Sequence, residues 1–490
     1  MAQGPLTSGE DPTTADSPYL ALRSRKLRLL IPLIVAFAFL MEQLDSTIVT
    51  TAIPAMARSL RVAPLQMSAA VTSYILSLAV FIPVSGWVAD RFGTRRVFAS
   101  ALLIFTAASA LCGLAQSLPA LVAMRILQGF GGAMSTPVGR LILLRAFPRN
   151  QLVRAMTYMT IPAIIGPTIG PILGGVLTTY VNWRWVFYVN VPIGIVGILL
   201  ALRFVEDARL PPPAPFDIAG FLLCGIGLGL AQFGIENLRH LFLPRDVVLA
   251  ASAAGVALLV AYVPYARHRA NAALDLSLFA IRTFRISTLS GGLSRIGINA
   301  VPFMLPLLFQ IGFGLSAVQS GLLTFISSLS ALAVRPVAST LLRFFGFRRL
   351  LAGNAVVSAA VIASFAAMQA STPHWIDFLM VLVFGLIRSV QFMMTNTLTY
   401  ADTPASKLSS STALGGVIQQ LTVSFGVSVA AVLLGIIAGP HPPDVADFHA
   451  AFLLVALLTL LSAPGFLGLR EDDAAHVSGH QAASPSGPPR

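Results

Sequence analysis

The chain has 490 residues, 56% of them hydrophobic and only 10% charged, with a mean hydropathy of +0.81. Soluble domains carry about 25% charge, so this composition excludes a large soluble core and predicts an all-α polytopic membrane protein embedded in a lipid bilayer. The net charge of +13 is a topology signal and not a footprint for nucleic acid: of 32 Lys and Arg, 22 fall in alternate segments assigned to the cytoplasm, five in the opposite segments and five within spans, as the positive-inside rule requires.

Residues 1–27 read as a disordered cytoplasmic tail: Glu10, Asp11, Asp16 and several prolines, with no basic start and no cleavage-type sequence. Fourteen apolar segments follow, near 29–53, 66–88, 97–115, 119–142, 152–177, 185–203, 217–236, 247–265, 286–311, 317–341, 350–369, 376–398, 409–438 and 450–469. An even count returns the chain to its starting side, so both termini are expected in the cytoplasm. Residues 471–490, rich in Ser, Pro and His, read as a second disordered tail. An internal repeat divides the chain. Pro83-Val84-Ser85 through Gly93-Thr94-Arg95-Arg96 recurs as Pro336-Val337-Ala338 through Gly346-Phe347-Arg348-Arg349, at an offset of 253. The architecture it suggests is two six-helix lobes, 28–203 and 285–470, with two inserted transmembrane helices and their linkers over 204–284. Transporters commonly place their site between such halves.

In the first span Glu42 and Asp45 lie three residues apart and so on one helix face. Either they reach water at the span's mouth, or they serve as proton-carrying acids facing a central cavity; intramembrane acids favour the second reading. The turn after the second span contains Gly86, Asp90, Arg91, Gly93, Arg95 and Arg96. Gly93 permits a tight return, and the arginines can anchor to the interface, pair with Asp90 or cap helix ends. In the fourth span Arg125, Gln128, Gly129 and Gly132 share a face. An arginine at that depth needs a carboxylate or aligned carbonyls, so a pairing of Arg125 with Asp45 that breaks on protonation is the expectation. The fifth span carries Gly166, Pro167, Gly170, Pro171, Gly174 and Gly175. Generic packing accounts for a glycine ridge at four-residue spacing but not for the doubled Gly-Pro.

These residues resemble the major facilitator superfamily, in its fourteen-span drug:proton antiporter family. The similarity spans roughly residues 28–470. It rests on Leu44-Asp45 to Pro54, the Gly86–Arg96 loop, the Arg125–Gly132 set, the Gly166–Gly175 "antiporter" motif, and Trp183-Arg184-Trp185 through Asn190 to Gly194. Gly291 to Gly297 with Arg295, and Asn396-Thr397-Leu398-Thr399, are similar to its MdtD-like branch. The resemblance implies proton coupling at Asp45 and Arg125, a cytoplasmic gate at Gly86–Arg96, a helix interface shaped by the Gly-Pro ridge, a bacterial cytoplasmic membrane location and a monomer. One departure is Arg343 in the second basic turn, where the first has Asp90.

Arg295 and Arg388 are less easily explained within spans. They either pair with backbone carbonyls or line a cavity for anionic groups, with Asn299 one turn from Arg295 and Gln391 three residues from Arg388. Arg140 and Arg335 are expected to snorkel to the cytoplasmic edge. Enzymatic chemistry is excluded by inventory. No Gly-Lys-Ser/Thr phosphate loop exists. The seven histidines are placed in loops or tails, and Cys112 and Cys224 mid-span, so neither a metal site nor a cofactor is expected. The first functional reading is a proton-coupled exporter of hydrophobic, multidrug-type molecules. The second is a proton-coupled exporter of an organic anion or metal-chelating metabolite. A third, of another class, is a non-transporting receptor or scaffold.

Overall fold

Lipid offers no partners to backbone N–H and C=O groups, so apolar runs of this length must become helices. The computed structural model describes residues 25–146, 149–205, 215–237, 244–269, 272–404, 407–471 and 473–474, and its regular elements are helices. In chain order they are α1 (Arg25–Leu60), α2 (Ser68–Phe92), α3 (Thr94–Leu114), α4 (Leu118–Ala146), α5 (Arg149–Tyr180), the single turn α6 (Trp185–Tyr188) and α7 (Asn190–Phe204). Then come α8 (Ile218–Asn237), α9 (Arg245–Arg267), α10 (Arg282–Leu307), α11 (Ala317–Ser364), α12 (His374–Ala401), α13 (Leu408–Ala438), α14 (Val445–Leu460) and α15 (Ala463–Leu467). Among the described residues eleven helical stretches are long and apolar enough to cross a membrane. Helices α4 and α5, of 29 and 32 residues, stand beside them.

Several boundaries differ from the sequence expectation. Helix α1 starts at Arg25, inside the stretch assigned to the tail; residues 1–24 and 475–490 lie outside the described residues. The segments near 317–341 and 350–369 meet at Gly346, where φ of 65° and ψ of 169° break the helix, so α11 comprises two helices joined at a kink. Gly93, at the matching position of the repeat, has φ 92°. A β-carbon resists such positive-φ, extended-ψ conformations by about 1–3 kcal/mol, which is why each copy of the turn carries glycine there. His374 opens α12 and His449 lies within α14, not in loops. Cys112 sits in the last turn of α3, not mid-span.

Helices α1–α7 pack among themselves, as do α10–α15, and the two groups meet along α5 with α11 and α2 with α13. The glycine ridge of α5 lets that helix lie close against α1. A β-carbon at Gly166 would lie 2.8 Å from Gln43 Cβ, one at Gly174 would lie 2.5 Å from the Ile48 carbonyl, and one at Gly170 would run into the Thr47 side chain. On its other edge α5 meets α11, where a β-carbon at Gly175 would stand 2.5 Å from the Ala317 carbonyl.

Helices α8 and α9 form a hairpin whose first member lies against α2 and α13. Its entry is tied down by Asp217, which accepts from Tyr265 Oη (2.5 Å), Gly220 N (3.0 Å) and Ala273 N (3.1 Å). Burial pushes this carboxyl up, but those donors and the nearby Arg269 outweigh it and hold the group below the usual carboxylate range. At the far end Glu236 accepts from Ser68 of α2 (2.8 Å) and from Ser428 of α13 (2.5 Å), with Gln232 at 3.1 Å.

Candidate functional site

The buried acid of α1 is fully partnered. Arg125 Nη1 donates to Asp45 Oδ2 at 2.5 Å, while Gln128 Nε2 and Asn190 Nδ2 donate to Oδ1 at 2.8 and 2.9 Å. The guanidinium also donates from Nε to the Ala70 carbonyl (3.0 Å) and from Nη1 to Gln128 Oε1 (2.7 Å), and it lies 4.2 Å from the centre of the Tyr74 ring. Ser109 Oγ takes a bond from Gln128 Nε2 at 2.6 Å. Five helices thus contribute to one polar knot in which Asp45 is 0% and Arg125 1% exposed. A pair so deeply desolvated persists only when its remaining donors and acceptors are met. The three-residue spacing of Arg125 and Gln128 puts both on the α4 face turned to α1. Asn190 arrives as the first residue of α7.

Tyr74 separates this knot from a cavity of about 320 Å³ between the two helix groups. Glu42, Ser46, Thr47 and Thr50 of α1 line it on one side. Asn299, Thr324, Arg388, Gln419 and Gln420 line it on the other, with Pro167, Pro171, Pro302, Pro306, Phe303, Phe384 and Phe392 supplying apolar wall. Glu42, 8% exposed, accepts a bond from the Thr136 hydroxyl. The Tyr74 hydroxyl and Asn299 Nδ2 are buried without hydrogen-bond partners. Pockets that hold small molecules combine such apolar walls with a few convergent polar groups.

The expected site residues divide between these places. Glu42, Asn299 and Arg388 line the cavity; Asp45 does not, because its carboxylate is turned into the knot beneath Tyr74. Gln128 is likewise a knot residue and not a cavity residue. Arg295 is withdrawn from the cavity: its Nη2 donates to Asn396 Oδ1 at 2.6 Å and it lies 5.1 Å from the Phe392 ring. Gln391 is also withdrawn, taking a 2.8 Å bond from Asn354 Nδ2. Arg140 is exposed and lies 5.5 Å from the Phe39 ring; the side chain of Arg335 falls outside the described residues. Along the basic turn Gly86 is exposed, Asp90 and Arg95 half-buried, Arg91 and Arg96 exposed, and Gly93 buried. Pro167 and Pro171 border the cavity while Gly166, Gly170 and Gly174 face α1. Residues the sequence reading left out include Tyr74, Ser109, Gln419 and Gln420. Asn190 lies in the Trp183–Gly194 motif, but a neutral amide at the start of a span gives little signal alone.

Three sets of contacts close the two groups together at the end where α1 finishes and α2 begins. Gly175 meets Ala317, Gln310 Nε2 donates to the Thr51 carbonyl at 3.1 Å, and Glu236 bridges Ser68 and Ser428.

A helical membrane protein with two packed halves and a polar cavity between them is the framework of a membrane transporter of small molecules. The chain belongs to the major facilitator superfamily, whose family model matches residues 35–427. It is a transporter and not an enzyme. It is 38% identical to the "Putative multidrug resistance protein MdtD" of Pectobacterium atrosepticum over 89% of this chain and 94% of the relative. It is equally 38% identical to the protein of that name from Klebsiella pneumoniae, over 90% and 94%. Its fold is similar to that of a D-xylose–proton symporter (TM-score 0.67, 16% identity, 91% of this chain and 99% of that one). A bacterial homologue of the lysosomal transporter Spinster in an inward-facing, unoccupied conformation is also similar (TM-score 0.65, 14% identity, 91% and 97%).

Proposed function

We propose that the protein is a proton-coupled antiporter that exports hydrophobic, multidrug-type small molecules across a bacterial cytoplasmic membrane by alternating access. The reading takes fourteen spans, arranged as six-helix lobes over 28–203 and 285–470 around an inserted pair within 204–284, with both termini cytoplasmic. The single observation that carries it is the buried Asp45–Arg125 pair at 2.5 Å, one tyrosine ring away from the cavity. A proton placed on Asp45 removes the negative charge that holds Arg125. The guanidinium still has Gln128 Oε1 and the Ala70 carbonyl to rest on, so the knot can rearrange without leaving a buried donor bare. Glu42 is the acid that cargo can reach directly, and its proton competes with a bound cation. The Gly86–Arg96 turn acts as the cytoplasmic gate, and the Gly-Pro ridge of α5 seals the lobe interface. With the arginine-rich turns facing the cytoplasm, the contacts at Gly175, Gln310 and Glu236 close the outer side, an inward-facing arrangement. Each pH unit of gradient supplies about 1.4 kcal/mol per proton and each 100 mV about 2.3. The test is a screen of solutes against detergent-purified protein in weakly buffered solution. A cargo molecule should expel a proton; binding without proton release at any pH between 5 and 9 would overturn the antiport reading.

The second reading, export of an organic anion or metal-chelating metabolite, is favoured by Arg388, which lines the cavity and has no carboxylate partner among the described residues.

A further inference from the structure

We propose that the cavity recognises zwitterionic small molecules, an apolar body whose cationic end meets Glu42 and whose anionic end meets Arg388; this rests on the transport reading above. The two walls carry opposite charge. Among the described residues, the charged lining residue on the α1 side is Glu42, and on the α10–α13 side it is Arg388. Arg388 lies 5.6 Å from the Phe392 ring, and among the described residues it has neither a hydrogen-bond acceptor nor an ion-pair partner. Its neighbours on that wall add donors: Asn299 Nδ2 is buried and unpartnered, and Gln419 and Gln420 border the same space. A guanidinium with free donors beside an idle amide suits a carboxylate, which takes two parallel bonds. A lone cation as cargo leaves Arg388 shut in a filled cavity with no counter-charge, and a lone anion leaves Glu42 with no cargo contact and its proton in place. Removing one partner of a buried pair is what costs most, and a cargo bearing both charges leaves neither bare. Phe303, Phe384, Phe392 and the four prolines suit a flat apolar body between the two ends, and about 320 Å³ holds a drug fragment of one or two rings.

An electrical consequence follows. Exchange of one proton inward for a cargo of zero net charge moves one positive charge inward and is driven by the membrane potential. Exchange for a monocation is electroneutral.

The test uses the full-length protein in detergent and three matched ligands. These are 4-(piperazin-1-yl)benzoic acid, with ammonium and carboxylate at opposite ends of a rigid body, its methyl ester (cation only) and its N-acetyl derivative (anion only). Calorimetric titration should find the acid bound on the order of tenfold more tightly than either analogue. Arg388→Gln should reduce the acid to the level of the ester, and Glu42→Gln should reduce it to the level of the N-acetyl compound. Arg388→Lys, which retains a cation, should keep the rank order and guards against a misfolded variant. An ester that binds the wild type as well as the acid overturns the proposal. So does an equal loss of all three ligands in Arg388→Gln, or absence of binding by the acid. In proteoliposomes a bound acid that is never moved by a pH gradient or potential refutes the exporter reading alone, while the charge preference stands.

Discussion

Asp45→Asn separates coupling from folding. Asparagine keeps one acceptor oxygen for Gln128 or Asn190 but leaves Arg125 facing a neutral group across the 2.5 Å contact. Removing one member of a buried ion pair costs about 3–5 kcal/mol. The bonds to Ala70 and Gln128 remain, so the loss should fall at the low end of that range. Transport should suffer more sharply than stability. A one-unit pH gradient is worth about 1.4 kcal/mol per proton, which sustains about tenfold accumulation of cargo at one proton per cycle. In everted vesicles or proteoliposomes the variant should bring cargo to equilibrium and no further. It should still exchange labelled for unlabelled cargo, because rocking of the loaded protein does not require the proton. Tenfold accumulation retained by Asp45→Asn would refute the assignment of the coupling proton to this residue.

Three further outcomes follow from the packing. Gly170→Val places methyl groups where Thr47 sits and should cost about 1–3 kcal/mol of stability; Thr47→Ala in the same chain should recover part of it, and no recovery would argue against the α1–α5 contact. Asp217→Asn should lower unfolding free energy by about 1–3 kcal/mol at neutral pH through its lost acceptors. Because the folded group titrates below its unfolded value of about 3.9, this stability is present above that value. It fades as pH falls through the folded pKa, so melting curves of variant and wild type should converge in acid, and a constant gap would contradict the argument. Glu236→Ala removes the acceptor shared by Ser68, Ser428 and Gln232 and should cost about 1.5–3 kcal/mol. Glu236→Gln should restore part of this, and an unchanged melting temperature for the alanine variant would show the bridge to be idle.

Much of this arrangement is legible in the sequence. Asp45 and Arg125 were expected to pair because a cation and an acid at depth in lipid have few other options. The ridge at Gly166, Gly170 and Gly174 was visible because a four-residue repeat keeps one helix face smooth. What could not be read was direction across the fold. Arg295 and Arg388 looked alike in sequence, yet Asn396 draws the first away while the second stays on the cavity wall. Asn190, Ser109 and Tyr74 complete the knot from three other helices, and neutral polar residues of that kind announce no partner. The turn at Gly346 was legible from its match to Gly93, and both glycines have positive φ.

The bridge made by Glu236 bears on why this chain carries a hairpin that a two-lobed body does not formally need. One carboxylate on α8 holds α2 and α13 together across the seam between the halves. Any motion that parts those two helices has to tear both serine hydroxyls from it or carry α8 along with one side. The hairpin therefore adds its own resistance to opening on that face, like a staple across a book's fore-edge. Cutting it out to make a shorter pump would alter how readily the molecule turns over, and not merely how large it is.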